Sequence, residues 1–463
     1  MKIVVIGAGS MSFSPSLFNC ITRDPALADC ELALVDVDQE ALEVAERLMK
    51  RLVAERGLSI RVSASTERRD LLAKADAVTA TIAVGGLEAW GVDVDVPARY
   101  GCIQPVGDTA GPGGLGRALR HVPELVAIAE DMADLSPTAL LCNYTNPMTA
   151  LTRAVLKHTP VACVGLCIGP ELTWRHLSGF IGMSMEETTA HIAGINHCHW
   201  VLQFSRNGED LFPRVAARLA ELRAEAGAPA GDDSARATNP FGRAPQPLSF
   251  MLYEQFGSYP GPGDGHVAEF FPQFIHAPGR ATALGLVNGR AVSRCLQEHP
   301  ERFEQMRQQA FGETPLDEEM FGEDNSYGEE SQLKAILTGL RGERPVSMWA
   351  NVRNNGSIPN LPDEAVVEVP CVVSASGIQP VPVGSLPQSL AAPLASTFAN
   401  LEVLIEAALA GSREQAVRAY LNDPYCADLV TAPKLVNELI DALLPWLPNF
   451  QGRPAAAGAS TAS

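Results

Sequence analysis

Cys167 closes an apolar run in VGLCIGP, and thirty residues later AGINHCHWV supplies His197 and His199. Taken alone, a cysteine is most often a packing residue and a histidine a satisfied core group. A redox thiol and one half of a metal pair are the other readings of Cys167. Thiolate plus imidazole suits Mn, Fe, Co, Ni or Zn better than Mg. Two protein ligands would leave the open positions that a catalytic ion needs, and no C-x-x-C spacing points to a closed structural zinc site.

Other polar residues stand at similar places after apolar runs. GDTAGPGGLGRALR carries Asp108 and Thr109 before a glycine-rich turn, NYTNPM carries Asn143 and Asn146, GINHCHW carries Asn196, and GPGDGH carries Asp264 and His266. In a doubly wound sheet, ligands bind outside the carboxyl ends of the strands. These distant segments are therefore expected to converge on one rim.

The elements that would position them follow a strand–helix alternation. KIVVIGAGSMSFSPSLFNCIT reads as strand, glycine turn and helix, and CELALVDVD as a second strand ending at Asp36. ADAVTATIAVGG is taken as the third strand, TALLCNYTNPM and VACVGLCIG as two more, and RALRHVPELVAIAEDMADLSP as a helix stopped near Pro137. Such alternation predicts an α/β fold with a parallel sheet covered by helices on both faces. Gly7 permits the tight turn, Gly9 lets the backbone approach a pyrophosphate, and Ser10 sits beside them ahead of the first helix. Asp36 can bond an adenosine ribose diol, which favours NAD over NADP.

Past residue 195 the pattern changes. HWVLQFSRNGEDLF reads as hairpin material around Asn207-Gly208, AVVEVPCVVSASGIQPV as strand, and 388–446 as a helical bundle. The expected domains are 1–195, binding NAD, and 196–450, an α/β unit for substrate, metal and oligomerisation. The Ala/Gly/Pro/Asp-rich stretch 224–247 is expected to be an exposed insertion, and 451–463 a disordered tail.

A formal charge of −19 argues against nucleic acid or an anionic membrane as partner. MKIVVIGAGS starts at once with a strand, with no apolar leader, and no unbroken apolar run reaches spanning length. Ten scattered cysteines fit a reducing cytoplasm better than a disulfide framework.

These residues carry a resemblance. GAGS, VGDTAGPGGLGRALR, NYTNPM, GLC, GINH, GDGHVAEFFP, NNGSIPNLPDEAVVEVPC and GIQPVPVGSLP occur in the order seen in glycoside hydrolase family 4, the NAD- and metal-dependent glycosidases, over nearly the whole chain. The resemblance implies a Rossmann-like N-terminal domain, a malate-dehydrogenase-like C-terminal one, and a homodimer or homotetramer. It is closest to the α-galactosidase, α-glucuronidase and α-galacturonidase branch, and implies a carbohydrate substrate without a phosphate. It further implies oxidation of the sugar at C3, loss of the C2 proton, departure of the aglycone and return of the hydride, an exception to two-carboxylate hydrolysis. Cys167 and His197 match the family's metal ligands, manganese being the first candidate ion. Asp108 matches the general acid, Asp264 the base with Tyr253 and Tyr259 as rivals, and Asn146 a contact to sugar hydroxyls; Asn196 and His266 are expected at the substrate. Ile168 after the cysteine and Gly265 in GDGH depart from the family pattern, which leaves Arg117, Arg120, Arg353 or a main-chain nest to supply any charge for an anionic sugar.

Two other functions fit the same scaffold. A 2-hydroxy-acid dehydrogenase would carry a strand-end His-Gly motif, which is not found. A non-catalytic NAD and sugar sensor would be favoured by Ile168 and Gly265.

Overall fold

The computed structural model describes residues 1–225, 245–321 and 329–451. The insertion expected over 224–247 and the tail expected over 451–463 fall, apart from their edges, outside the described residues. Six parallel strands, β1 (Lys2–Ile6), β2 (Glu31–Val35), β3 (Arg61–Ser65), β4 (Ala77–Ala80), β5 (Leu140–Asn143) and β6 (Cys163–Gly165), lie in the order β3-β2-β1-β4-β5-β6. This is the doubly wound dinucleotide-binding order, with its switch point between β1 and β4. Alternate residues of β1 supply its two faces: Ile3 and Val5 join one core layer, Val4 and Ile6 the other. Each buried aliphatic side chain of this kind stabilises the fold by roughly 1.5–3 kcal/mol.

β3 is not among the strands expected from the sequence. Its residues RVSAS are exposed or half-buried at the sheet edge, so no apolar run marks it. A second difference lies at GPGGLG. The glycines belong to the helix Gly111–Leu135 and not to a turn. They permit close approach: a Cβ on Gly114 would lie 2.5 Å from the Thr109 carbonyl, and one on Gly116 2.6 Å from Asp93 Oδ1.

Seven further strands continue the same sheet in antiparallel fashion: β7 (Thr189–Ile195), β8 (Cys198–Arg206), β9 (Glu209–Asp210), β10 (Tyr259–Gly261), β11 (Val346–Arg353), β12 (Val366–Ser374) and β13 (Gly377–Pro380). The expected hairpin is β8–β9, with Asn207 at φ +50 and Gly208 at φ +84, the left-handed pair such a turn requires. Two neighbouring strand pairs meet at single residue pairs, the first where the parallel half joins the antiparallel one and the second inside the antiparallel half. Asn351 of β11 is opposite Gly165 of β6, and Glu368 of β12 is opposite Gly194 of β7. Within the hairpins Asn351 is also opposite Glu368, and Gly194 opposite His199. One row of residues therefore crosses the seam.

The helix Gln388–Ala410 is long and apolar enough by composition to span a bilayer. Here it packs on the helix Gly111–Leu135, with Leu390, Leu394, Phe398, Leu404 and Ile405 buried, as a core helix of that layer.

A Cβ on Gly194 would lie 2.5 Å from both the Cys198 carbonyl oxygen and His199 Cα, whereas one on Gly179 would meet nothing within 4 Å. Gly194→Ala is expected to lower stability by about 1–3 kcal/mol, and Gly179→Ala to leave it unchanged or raise it by up to about 1 kcal/mol. Denaturant unfolding midpoints check the pair.

Candidate active site

β1 ends in the turn that begins the nucleotide cradle. Gly7 has φ +89, and a Cβ there would sit 2.6 Å from the Thr81 carbonyl oxygen. Only glycine meets both demands. The Gly9 N–H donates to Asp36 Oδ2 at 2.8 Å, and a Cβ on Gly9 would lie 2.9 Å from that oxygen. Asp36 Oδ1 accepts the Asp38 N–H at 3.0 Å. Burial pushes the Asp36 carboxyl up, against these amide donors. Ser10 Oγ accepts the Phe13 N–H at 3.3 Å, which shapes the turn before the helix Ser14–Arg23. The result is a glycine turn with an acidic residue at the end of β2, and this fits a dinucleotide.

The expected rim forms. Asp108 Oδ1 accepts the Thr109 hydroxyl at 2.6 Å, and Oδ2 accepts Asn146 Nδ2 at 3.1 Å. Thr109 Oγ1 lies 3.0 Å from His197 Nδ1. With its one hydrogen donated to Asp108, the Thr109 oxygen accepts from Nδ1–H and leaves Nε2 of His197 with a free lone pair. Burial, and then His266, holds His197 well below the ordinary imidazole range despite Asp108. A neutral ring with one nitrogen anchored is what a ligating histidine requires. His197 occupies the turn between β7 and β8 at φ +63, an uncommon conformation for a non-glycine residue.

His266, in the short helix Asp264–Phe270, completes the group, its ring centroid 4.0 Å from that of His197. Ligand atoms of Asp108, His197 and His266 all lie within 4.8 Å of one another. These nitrogen and oxygen donors fit a transition-metal ion. Burial raises the Asp108 carboxyl, but Arg117, His197, His266 and the Thr109 hydroxyl outweigh it and hold it below the usual range.

Cys167 lies two residues beyond β6 and is not a member of this three-residue group. Its sulfur accepts the Gly169 N–H at 3.3 Å and its carbonyl accepts Gln332 Nε2 at 2.9 Å. His199 lies beside Cys167: its Cε1 is 3.0 Å and Cys167 Sγ 3.4 Å from a Cβ built on Gly169. Both ring nitrogens of His199 are engaged, Nδ1 with Glu368 at 2.7 Å and Nε2 with Thr173 at 2.9 Å. It is a buried histidine held on both sides of its ring.

Asp264 stands apart. Its two oxygens accept the Leu248 and Ser249 N–H groups at 2.8 Å, and the Ser249 hydroxyl at 2.7 Å. The residue expected as a base caps the helix Pro247–Phe256. Tyr259 is buried, and Tyr253 donates to the Phe212 carbonyl at 3.4 Å and stacks on that ring. Asn146 Oδ1 and both amide atoms of Asn196 are buried without protein partners. Asn196 lines a cavity of about 140 Å³ behind the rim. Of the arginines expected to supply charge, Arg120 is locked on Asp93 by two bonds of 2.7 Å, and Arg353 pairs with exposed Glu364. Arg117 bonds the Asn146 carbonyl at 3.3 Å, over the Trp90 ring.

Glu269, outside the residues expected at the site, braces the rim. Its Oε1 accepts the Val106 and Gly107 N–H groups at 2.7 and 2.8 Å, fixing the segment that carries Asp108. Burial pushes its carboxyl up to about 8. The folded state therefore holds a proton that the unfolded chain loses near its ordinary value of 4.5, and stability falls as pH rises between those values. Glu269→Gln is expected to flatten this fall, by up to a few kcal/mol, in unfolding midpoints measured from pH 5 to 8.

Residues 2–183 match the family model "Family 4 glycosyl hydrolase", and residues 192–426 match "Family 4 glycosyl hydrolase C-terminal domain". The chain is 32% identical over 457 residues to an alpha-galactosidase of Bacillus subtilis (strain 168), covering 97% of this chain and 100% of that protein. It is 30% identical over 457 residues to an alpha-galacturonidase of the same organism, covering 96% and 98%. A 6-phospho-alpha-glucosidase from gut microorganisms, solved in complex with NAD and Mn2+, is similar with a TM-score of 0.79 at 20% identity, covering 97% and 99%. At that identity the likeness is one of fold.

Proposed function

This chain belongs to family 4 of the glycosyl hydrolases and is a glycosidase, and on that premise we propose that it cleaves unphosphorylated α-galactosides or α-glycuronides with NAD and a divalent ion, manganese first. The observation that carries the reading is the convergence of Asp108, Asn146, His197 and His266 from four separate segments. The named activities of the relatives support the sugar class, and the NAD and Mn2+ of a structural neighbour support the cofactors.

Residues 1–195 would provide the nucleotide half and 196–450 the half that completes the sugar site. Gly7, Gly9 and Ser10 would receive the dinucleotide, with Asp36 on its ribose. His197 and Cys167 would hold the ion, and Asp108 and His266 lie beside His197 as further donors. When bound, the cofactor and ion supply reversible oxidation of the sugar and stabilisation of negative charge on its oxygens. The protein's own groups bind and orient. Asn146 and Asn196 offer unpartnered amide atoms to hydroxyls. Asp108 stays ionised and balances the charge of Arg117. Arg117 is the cation closest to hand for a sugar carboxylate, because Arg120 and Arg353 are already paired.

A panel of nitrophenyl α-galactosides and α-glycuronides with NAD, Mn2+ and thiol should give turnover that chelator abolishes and no net NADH. In D2O the released sugar should carry deuterium at C2. Cys167→Ser and His197→Ala should abolish turnover while leaving NAD binding intact, and Asp36→Ala should raise the KM for NAD. Net NADH formation with malate or lactate would favour a dehydrogenase instead.

A further inference from the structure

Four buried polar side chains close a ring around the loop that carries Cys167. From the sulfur outward, the Gly169 N–H donates to Sγ at 3.3 Å, and the Gly169 carbonyl accepts the Thr173 hydroxyl at 2.8 Å. Thr173 Oγ1 meets His199 Nε2 at 2.9 Å, and His199 Nδ1 meets Glu368 Oε2 at 2.7 Å. Glu368 Oε1 accepts Asn351 Nδ2 at 2.8 Å. Asn351 lies in register with Gly165, two residues before the cysteine. Thr173, His199, Glu368 and Asn351 are each no more than 1% exposed.

Glycine makes room at the crossings. A Cβ on Gly165 would lie 2.9 Å from Asn351 Cβ, and one on Gly169 3.0 Å from His199 Cε1. A buried ionisable pair is a poor way to stabilise a core, because apolar residues of the same volume do as well or better. What apolar residues cannot supply is a directional contact on the Gly169 peptide, whose N–H holds the sulfur.

We propose that Thr173, His199, Glu368 and Asn351 are positioning residues for Cys167, a ring that fixes the Cys167–Gly169 loop so that the sulfur keeps one place when a divalent ion is bound. This rests on the reading of Cys167 as a metal ligand. Outer groups that orient a ligand typically contribute 10–100-fold in metal affinity.

The test uses Co2+ titrated into the full chain with NAD, reading the near-ultraviolet thiolate-to-cobalt absorption, Co2+ affinity against a competing chelator, and NAD affinity. Thr173→Val and Glu368→Gln should weaken Co2+ binding by about 10–100-fold and reduce the band, with NAD affinity held. Thr173→Ser, which keeps the hydroxyl, should restore both. Variants that fold and keep wild-type affinity and band would overturn the ring's role. So would NAD affinity falling in step with Co2+ affinity, or failure of both variants to fold, since each marks a purely structural ring. A wild-type protein with no thiolate band would sink the metal reading and this inference with it, whereas a wild-type band that the variants retain sinks this inference alone.

Discussion

The contact on which the rest of the structure depends is the single-residue seam between the parallel and antiparallel halves of the sheet. Asn351 against Gly165 is the register pair by which β11 meets β6 across it, and Glu368 against Gly194, where β12 meets β7, is a second single pair inside the antiparallel half. Beside these short pairings a buried carboxylate on β12 ties β11 to β8, and it must be hydrogen-bonded on both oxygens to be tolerated. Asn351 and His199 supply those bonds. The thiol loop follows β6 on one side of the seam, and the His197 turn links β7 to β8 on the other. Their relative position is thus set by the same contact.

The charges around the rim work as a set. Asp93 and Arg120 neutralise each other in the core, which leaves Arg117 to act on Asp108. Asp108 then fixes Thr109 and Asn146, and Thr109 fixes the His197 tautomer. Glu269 holds the backbone just before Asp108. Burial keeps both His197 and His266 neutral, so the site offers lone pairs where exposed imidazoles would compete for protons.

What could be read from the sequence was local. Gly7, Gly9 and Asp36 stand out because backbone conformation and close approach dictate their types within one strand–turn–helix–strand unit. The convergence of Asp108, Asn146 and His197 followed from the rule that strand ends share a rim. The hydrogen bonds of Asp264 and His199 are not readable, since each is set by a distant partner: Leu248 and Ser249 for the first, and Glu368, 169 residues away, for the second. Nothing in VVEVP or WANVR marks Glu368 or Asn351 as anything but strand residues until the register across four strands is known. β3 escaped because an edge strand needs no apolar run, and GPGGLG passed for a turn because helix packing can demand the same glycines.

The central claim is that His197 and Cys167, brought from either side of the seam, hold one ion beside the nucleotide cradle. Anomalous diffraction at the manganese edge, from crystals grown with Mn2+ and NAD, tests it most directly. The account predicts one strong peak bonded to both Cys167 Sγ and His197 Nε2, with the dinucleotide on Gly7, Gly9 and Asp36. A peak held without the Cys167 sulfur, or lying away from the cradle, would contradict it.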